Sequence, residues 1–170
     1  IIGWDDSYSK DNFKEGSRPS SNGAWLIANS YGTKYNDGGY FWLSYEEPSI
    51  SDIYTMAVET TANYENIYQY DGNGWSDAVS IPGNDFTGAN VFTSSSSFEE
   101  TLNAVSFYTI SDNQKYTIKI YKNLTGTTPD TGTLASACTI SGTADYSGYH
   151  TIKLPTSCTL SPGSKFAVAI

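Results

Sequence analysis

Short runs of alternating apolar and polar residues, cut at intervals by turn-forming clusters, dominate this sequence and leave no stretch with a sustained helical period. The clearest run is Tyr116-Thr-Ile-Lys-Ile-Tyr-Lys122. Successive side chains of a strand point to opposite faces, so Ile118 and Ile120 share one face with Tyr116, while Thr117, Lys119 and Tyr121 take the other. The same pattern predicts strands over Ile1–Trp4, Ala24–Asn29, Tyr40–Tyr45, Ile53–Glu59, Asn66–Tyr70, Val91–Phe92, Ala104–Thr109, Tyr116–Lys122, Thr133–Ser141, Tyr149–Leu154 and Phe166–Ile170. Clusters such as Asn36–Gly39, Asp71–Gly74, Pro82–Asn84 and Ser161–Gly163 separate them. The most helix-compatible stretch, Phe98 to Ala104, is long enough only for a turn or two. Many short strands with such punctuation predict a mainly β chain built as a sandwich or barrel.

Composition narrows the partners. The 170 residues carry a formal charge of −9 and only one arginine, Arg18. A surface that tracks phosphates needs clustered Lys and Arg, so a nucleic-acid partner is excluded. No apolar run approaches the roughly 20 residues that span a bilayer, and no signal peptide is recognised. Aromatic residues make up 15 % of the chain, with 14 tyrosines, which sets it apart from disordered sequences. Charge is uneven: fifteen acidic and four basic residues lie in 1–100, against three and five in 101–170. The two cysteines, Cys138 and Cys158, are too few for a disulfide scaffold and form no C-x-x-C pair. One bridge in an exported protein and two thiols in strands both fit.

Chemistry concentrates near the start. Ile2-Gly3-Trp4 is followed by Asn29-Ser30-Tyr31-Gly32-Thr33 and then by Asp37-Gly38-Gly39-Tyr40. In this order the motifs resemble the C-terminal part of a papain-family cysteine peptidase, where a strand ending in V-G-W precedes N-S-W-G-T and a closing G-Y. The loop Asp5-Asp-Ser-Tyr-Ser-Lys-Asp-Asn12 is similar to that of a prokaryotic cell-surface branch, which includes clostridial surface-layer-processing proteases. In that branch a lectin-like β-sandwich follows the peptidase domain. Asn66–Asp71, Val105–Tyr108, Tyr116–Tyr121 and Ser147–Leu154 resemble that second domain.

The resemblance implies that residues 1–48 are terminal strands of the β-rich half of a papain-like peptidase. It implies that residues 52–170 are a jelly-roll-like antiparallel β-sandwich, with its last strand cut short. Both ends break off inside apolar runs, which predicts a piece of a longer protein. In papain-like chemistry a Cys thiolate attacks the peptide carbonyl, a His activates it, and an Asn accepts the other imidazole N–H. Asn29 occupies that last position. Tyr31 stands where the family has the Trp that shields the His–Asn bond, and Tyr35 replaces a second Trp. The family's nucleophile and base precede its Asn. Cys138, Cys158 and His150 follow Asn29, so the resemblance leaves the chain with one orienting group and no bond-making pair. His150 reads as a strand residue.

The implied protein is therefore a secreted or cell-surface endopeptidase acting on proteins, requiring no cofactor and inactive as this segment alone. The alternatives are a non-catalytic carbohydrate-binding or surface-attachment module, or a pseudo-peptidase. Asp71-Gly-Asn-Gly-Trp-Ser-Asp77 sets oxygens at alternating positions, so Asp71, Asn73 and Asp77 fit a structural calcium loop. A Gly-rich turn fits the same residues. Asp5, Asp6 and Asp11 form a second acidic group. Tyr68, Tyr70, Trp75, Tyr146 and Tyr149 are candidates for stacking on sugar rings, but alternation leaves about one outward aromatic per strand. No carbohydrate-binding set is assigned, and a weak glycan or cell-surface contact is expected.

Overall fold

A computed structural model describes residues 1–51, 53–72, 77–78 and 86–170. The chain is mainly β and antiparallel, and it divides into two units, Ile1–Asn63 and Tyr64–Ile170.

The first unit is a three-stranded sheet of β1 (Gly3–Asp5), β2 (Ala24–Ala28) and β3 (Tyr40–Ser44), with β2 in the middle. Gly3, Leu26 and Trp42 lie opposite one another across the three strands. Period two puts them on one face, and there the Tyr8 ring stacks on Trp42 at 4.5 Å while Phe13 meets Tyr8 edge-on at 5.6 Å. On the other face Trp25 packs against Tyr45 at 4.6 Å. Gly23, just before β2, makes that packing feasible. Its φ is +114°, and a Cβ there would stand 2.6 Å from the Tyr45 ring.

The second unit has two sheets. In one, β10 (Lys165–Ala169) lies between β4 (Ala89–Thr93) and β6 (Gln114–Lys122). The first half of β6 pairs with β8 (Ile140–Ala144) and its last two residues with β7 (Thr133–Leu134). The other sheet is the long pair β5 (Glu100–Thr109) and β9 (Gly148–Leu160). The core draws on both: Ile118 and Ile120 from β6, Val105 from β5, Cys158 from β9, and Cys138 from a short 3-10 turn over Ser136–Cys138. Ile118, Ile120 and Phe166 have no exposed surface, as the alternation of β6 and β10 requires. Tyr116 packs on this cluster from the same face as the isoleucines, and on the opposite face Thr117 meets Ser141 through a 2.8 Å hydroxyl pair.

Four expectations change. The run Thr133–Ser141 is not one strand, because the Ser136–Cys138 turn interrupts it and carries Cys138. Phe98 to Ala104 forms no turn of helix, since β5 starts at Glu100 and pairs with the end of β9. Ile53–Glu59 joins no ladder among the described residues, and Tyr54, Met56 and Val58 are more than 80 % exposed. A β-compatible run becomes a strand only where another edge offers backbone partners. Asn66–Tyr70 is also outside the sheets and is held instead by side chains. The Tyr68 hydroxyl and Asn66 Nδ2 donate to the Glu100 carboxylate, the Tyr70 hydroxyl donates to the Val91 carbonyl, and the Tyr70 ring stacks on Phe92 at 5.0 Å.

Glu100 also accepts the Ser95 N–H at 2.7 Å. Partial burial alone would raise its pKa, but the bonds from Tyr68, Ser95 and Asn66 outweigh it and hold the carboxyl below its usual value. A carboxyl lowered on folding stabilises fully above its unfolded pKa and loses that contribution as pH falls through the folded one. The second unit should therefore lose thermal stability as pH is lowered below about 4.5. Glu100→Gln should flatten this acid limb and cost about 1–3 kcal/mol at neutral pH, toward the lower end because the carboxylate is partly solvated. Thermal unfolding monitored by circular dichroism between pH 3 and pH 7 checks it; an equally steep acid limb in Glu100→Gln refutes the assignment.

Candidate functional site

β2 ends at Ala28, and the next residue, Asn29, donates its backbone N–H to the Gly39 carbonyl at 2.9 Å. The chain between them is a tight Gly-rich turn. Gly32, Gly38 and Gly39 have φ of +81°, +63° and +94°, and Asn36 has +51°. Gly39 is the position with least room, because a Cβ there would come within 3.2 Å of the Gly32 carbonyl oxygen. The Gly39 N–H closes the turn on the Tyr35 carbonyl at 2.7 Å. The turn and the β2–β3 ends surround a small cleft of about 150 Å³ lined by Ala28, Asn29, Gly32, Thr33, Gly38, Gly39 and Tyr40.

Asn29 is the half-buried amide of this cleft. Its Oδ1 accepts the Ser30 N–H at 2.7 Å, which fixes the side chain against its own backbone. A carbonyl oxygen has two lone pairs, so Oδ1 can still accept one more donor. Tyr31, carried as the shield, is 71 % exposed, and its ring meets that of Tyr35 at 5.8 Å.

The other sequence candidates fall in separate places. His150 belongs to the second unit, where its Nε2 lies 3.0 Å from the Thr109 hydroxyl and its ring leans on Phe107. Asp5, Asp6 and Asp11 do not converge. Asp5 holds Ser7 through its hydroxyl and backbone N–H, Asp6 accepts the Tyr45 hydroxyl at 2.8 Å, and Asp11 lies 3.5 Å from Arg18. The bonds from Ser7 lower the Asp5 carboxyl, while burial and Asp6 push the Tyr45 phenol up to about 12. Asp71 and Asp77 are exposed, Asp77 accepting the Ala78 N–H, and Asn73 lies outside the described residues. Among the described residues no three His, Cys, Asp or Glu side chains are grouped to hold a metal.

Two features escaped the sequence. Glu46 accepts four hydrogen bonds, from the N–H and hydroxyl of both Ser20 and Ser21, at 2.5–2.8 Å. Those bonds, led by the Ser21 hydroxyl, draw its pKa down to about 2 and tie the loop before β2 to the end of β3. The other is a pair of exposed rings. Tyr108 and Tyr149 are cross-strand partners in β5 and β9, 4.7 Å apart and 42 % and 57 % exposed. Ser106 and Thr151 follow on the same face with their hydroxyls 3.0 Å apart. Only the register brings these residues together, and register is not written in either strand alone. Of the other sugar-stacking candidates, Tyr68 and Tyr70 use their rings and hydroxyls to hold Asn66–Tyr70 in place, and Trp75 lies outside the described residues. Tyr146 is 76 % exposed.

Residues 67–170 match the family model of the lectin like domain. No curated protein matches the chain. Among solved structures, a variant of the clostridial cysteine protease Cwp84 after propeptide cleavage is 35 % identical over 99 % of this chain and 41 % of its own, with a TM-score of 0.70. A structure of the cysteine protease and lectin-like domains of Cwp84, a surface layer associated protein of Clostridium difficile, is 31 % identical over 99 % of this chain and 36 % of its own, with a TM-score of 0.58. The chain thus spans about two fifths of the length of the structures it matches.

Proposed function

This chain belongs to the lectin-like domain family, and from that premise we propose that it is the C-terminal portion of a secreted or surface papain-like cysteine endopeptidase. One observation carries the reading: the likeness to the cysteine protease extends over 99 % of the chain, so it takes in the first unit as well as the lectin-like part. Within that first unit Asn29-Ser30-Tyr31-Gly32-Thr33 runs from the end of β2 along a small cleft, with the Asn29 amide fixed by Ser30. In the complete protein Asn29 would accept the imidazole N–H of a histidine supplied from outside this chain, setting its tautomer and plane. A neutral amide orients the ring without drawing off its proton, which suits a thiolate–imidazolium pair. Tyr31 and Tyr35 would limit water at that bond. The lectin-like unit would hold the peptidase at a surface, where its protein substrates are. Among the described residues no helix is long and apolar enough to cross a membrane.

A second reading, a carbohydrate-binding or surface-attachment module without catalysis, is favoured by the Tyr108–Tyr149 pair. Stacking on a sugar needs two or more exposed rings on one face, and the hydroxyls of Ser106 and Thr151 stand beside them. The two readings separate in one experiment. The complete protein should cleave an unfolded protein such as casein, iodoacetamide should abolish the cleavage, and residues 1–170 alone should show none. Cleavage by the complete protein that survives alkylation, or cell-wall binding with no cleavage at all, overturns the peptidase reading.

A further inference from the structure

We propose that Cys138 and Cys158 form a disulfide within the second unit, joining the Ser136–Cys138 turn to β9. They are the only two cysteines in the chain. They come from different elements, yet both stand in the same five-residue core cluster, 5 % and 1 % exposed. Both are free thiols in the structure, buried from different elements in that one cluster. Reaching the roughly 2 Å of an S–S bond asks for a shift of one sulfur toward the other. The Ser136–Cys138 turn can supply it. The turn is a short 3-10 segment between β7 and β8, anchored by the Ala135 N–H on the Ile120 carbonyl at 2.8 Å, and no ladder bond of β9 need break.

The chemistry sets the order of events. Once the unit is folded, burial and the Cys138 side chain push the Cys158 thiol up to about 12, against a smaller pull from the Lys122 ammonium. Such a thiol is almost never a thiolate at neutral pH, and only the thiolate attacks a disulfide. The folded dithiol therefore exchanges slowly, so the bridge is made before the core closes. Its formation needs an external disulfide as oxidant, such as oxidised glutathione or a thiol–disulfide oxidoreductase. One cysteine attacks that disulfide and gives a mixed disulfide with release of one oxidant thiol. The second cysteine then displaces the other oxidant thiol, and the Sγ–Sγ bond forms. Two S–H bonds are lost, and the two electrons and two protons end on the two thiols of the reduced oxidant. Closing this loop removes disorder from the unfolded chain, and the oxidised protein should melt roughly 10 °C above the reduced one.

The test uses residues 1–170, which hold no third cysteine, refolded in oxidised and reduced glutathione. After denaturation without reductant, iodoacetamide should add no group, and after reduction it should add two, with the oxidised chain monomeric. Its melting temperature should fall on reduction, and Cys158→Ser should abolish that difference. Two alkyl groups before reduction overturn the proposal. A glutathione adduct, a disulfide-linked dimer, or an oxidised chain that melts no higher than the reduced one does the same.

Discussion

Phe166→Ala is expected to cost the second unit about 3–5 kcal/mol, the ordinary range for emptying a fully buried phenylalanine site. The ring has no exposed surface. Phe92 lies across the ladder at 5.5 Å, and Tyr68 meets it edge-on at 5.3 Å. β10 is flanked on both sides by strands, so the backbone cannot slide into the space without disturbing two ladders. The loss also reaches Asn66–Tyr70, because Tyr68 is held by that ring on one side and Glu100 on the other. For a domain of this size the melting temperature should drop by roughly 15–30 °C, which a differential scanning calorimeter resolves. A drop below about 5 °C would show that the site collapses around the missing ring.

Asn29→Ala in the complete protein should lower kcat/KM roughly tenfold to a hundredfold and leave the fold intact. The smaller side chain removes the Oδ1 that Ser30 fixes, while β2 and its backbone bond to Gly39 survive. Without an orienting acceptor the imidazole would still find its thiol for part of the time, so the loss should be smaller than that from removing the nucleophile. The fall should lie mainly in kcat, since in the proposed triad Asn29 would touch the base and not the substrate. Steady-state kinetics with unchanged kcat/KM removes Asn29 from the proposed triad.

How much was legible depended on whether a run carried its own partner. β6 was readable because Ile118 and Ile120 alternate with Thr117 and Lys119, and that alternation has one explanation. β9 was underestimated as Tyr149–Leu154. Pro155 interrupts the pattern, but the strand continues through Cys158, opposite Leu102, by way of a register shift next to the Ala104–Lys153 pair. A proline has no N–H for a ladder, and a bulge is where a strand tolerates that. Ile53–Glu59 was overestimated for the opposite reason: its residues favour extension, and nothing in the segment reveals whether an edge is there to receive it. At the candidate site, the Asn29 motif and the glycines behind it were visible because left-handed turns demand particular residues. The Tyr108–Tyr149 pair, the Glu46 knot and the meeting of Cys138 with Cys158 were not, since each joins residues that are distant in sequence.

The position of β10 has a kinetic meaning. It is the central partner of β4 and β6, yet it is made after both, and its neighbour β4 precedes it by more than seventy residues. Contacts between such distant parts carry a large loop-closure cost before they return any stabilisation, and they slow folding. Until Lys165–Ala169 is available, β4 and β6 have no strand between them and the aromatic site of Phe166 is empty. The nascent chain therefore cannot close this sheet until Lys165–Ala169 has been made.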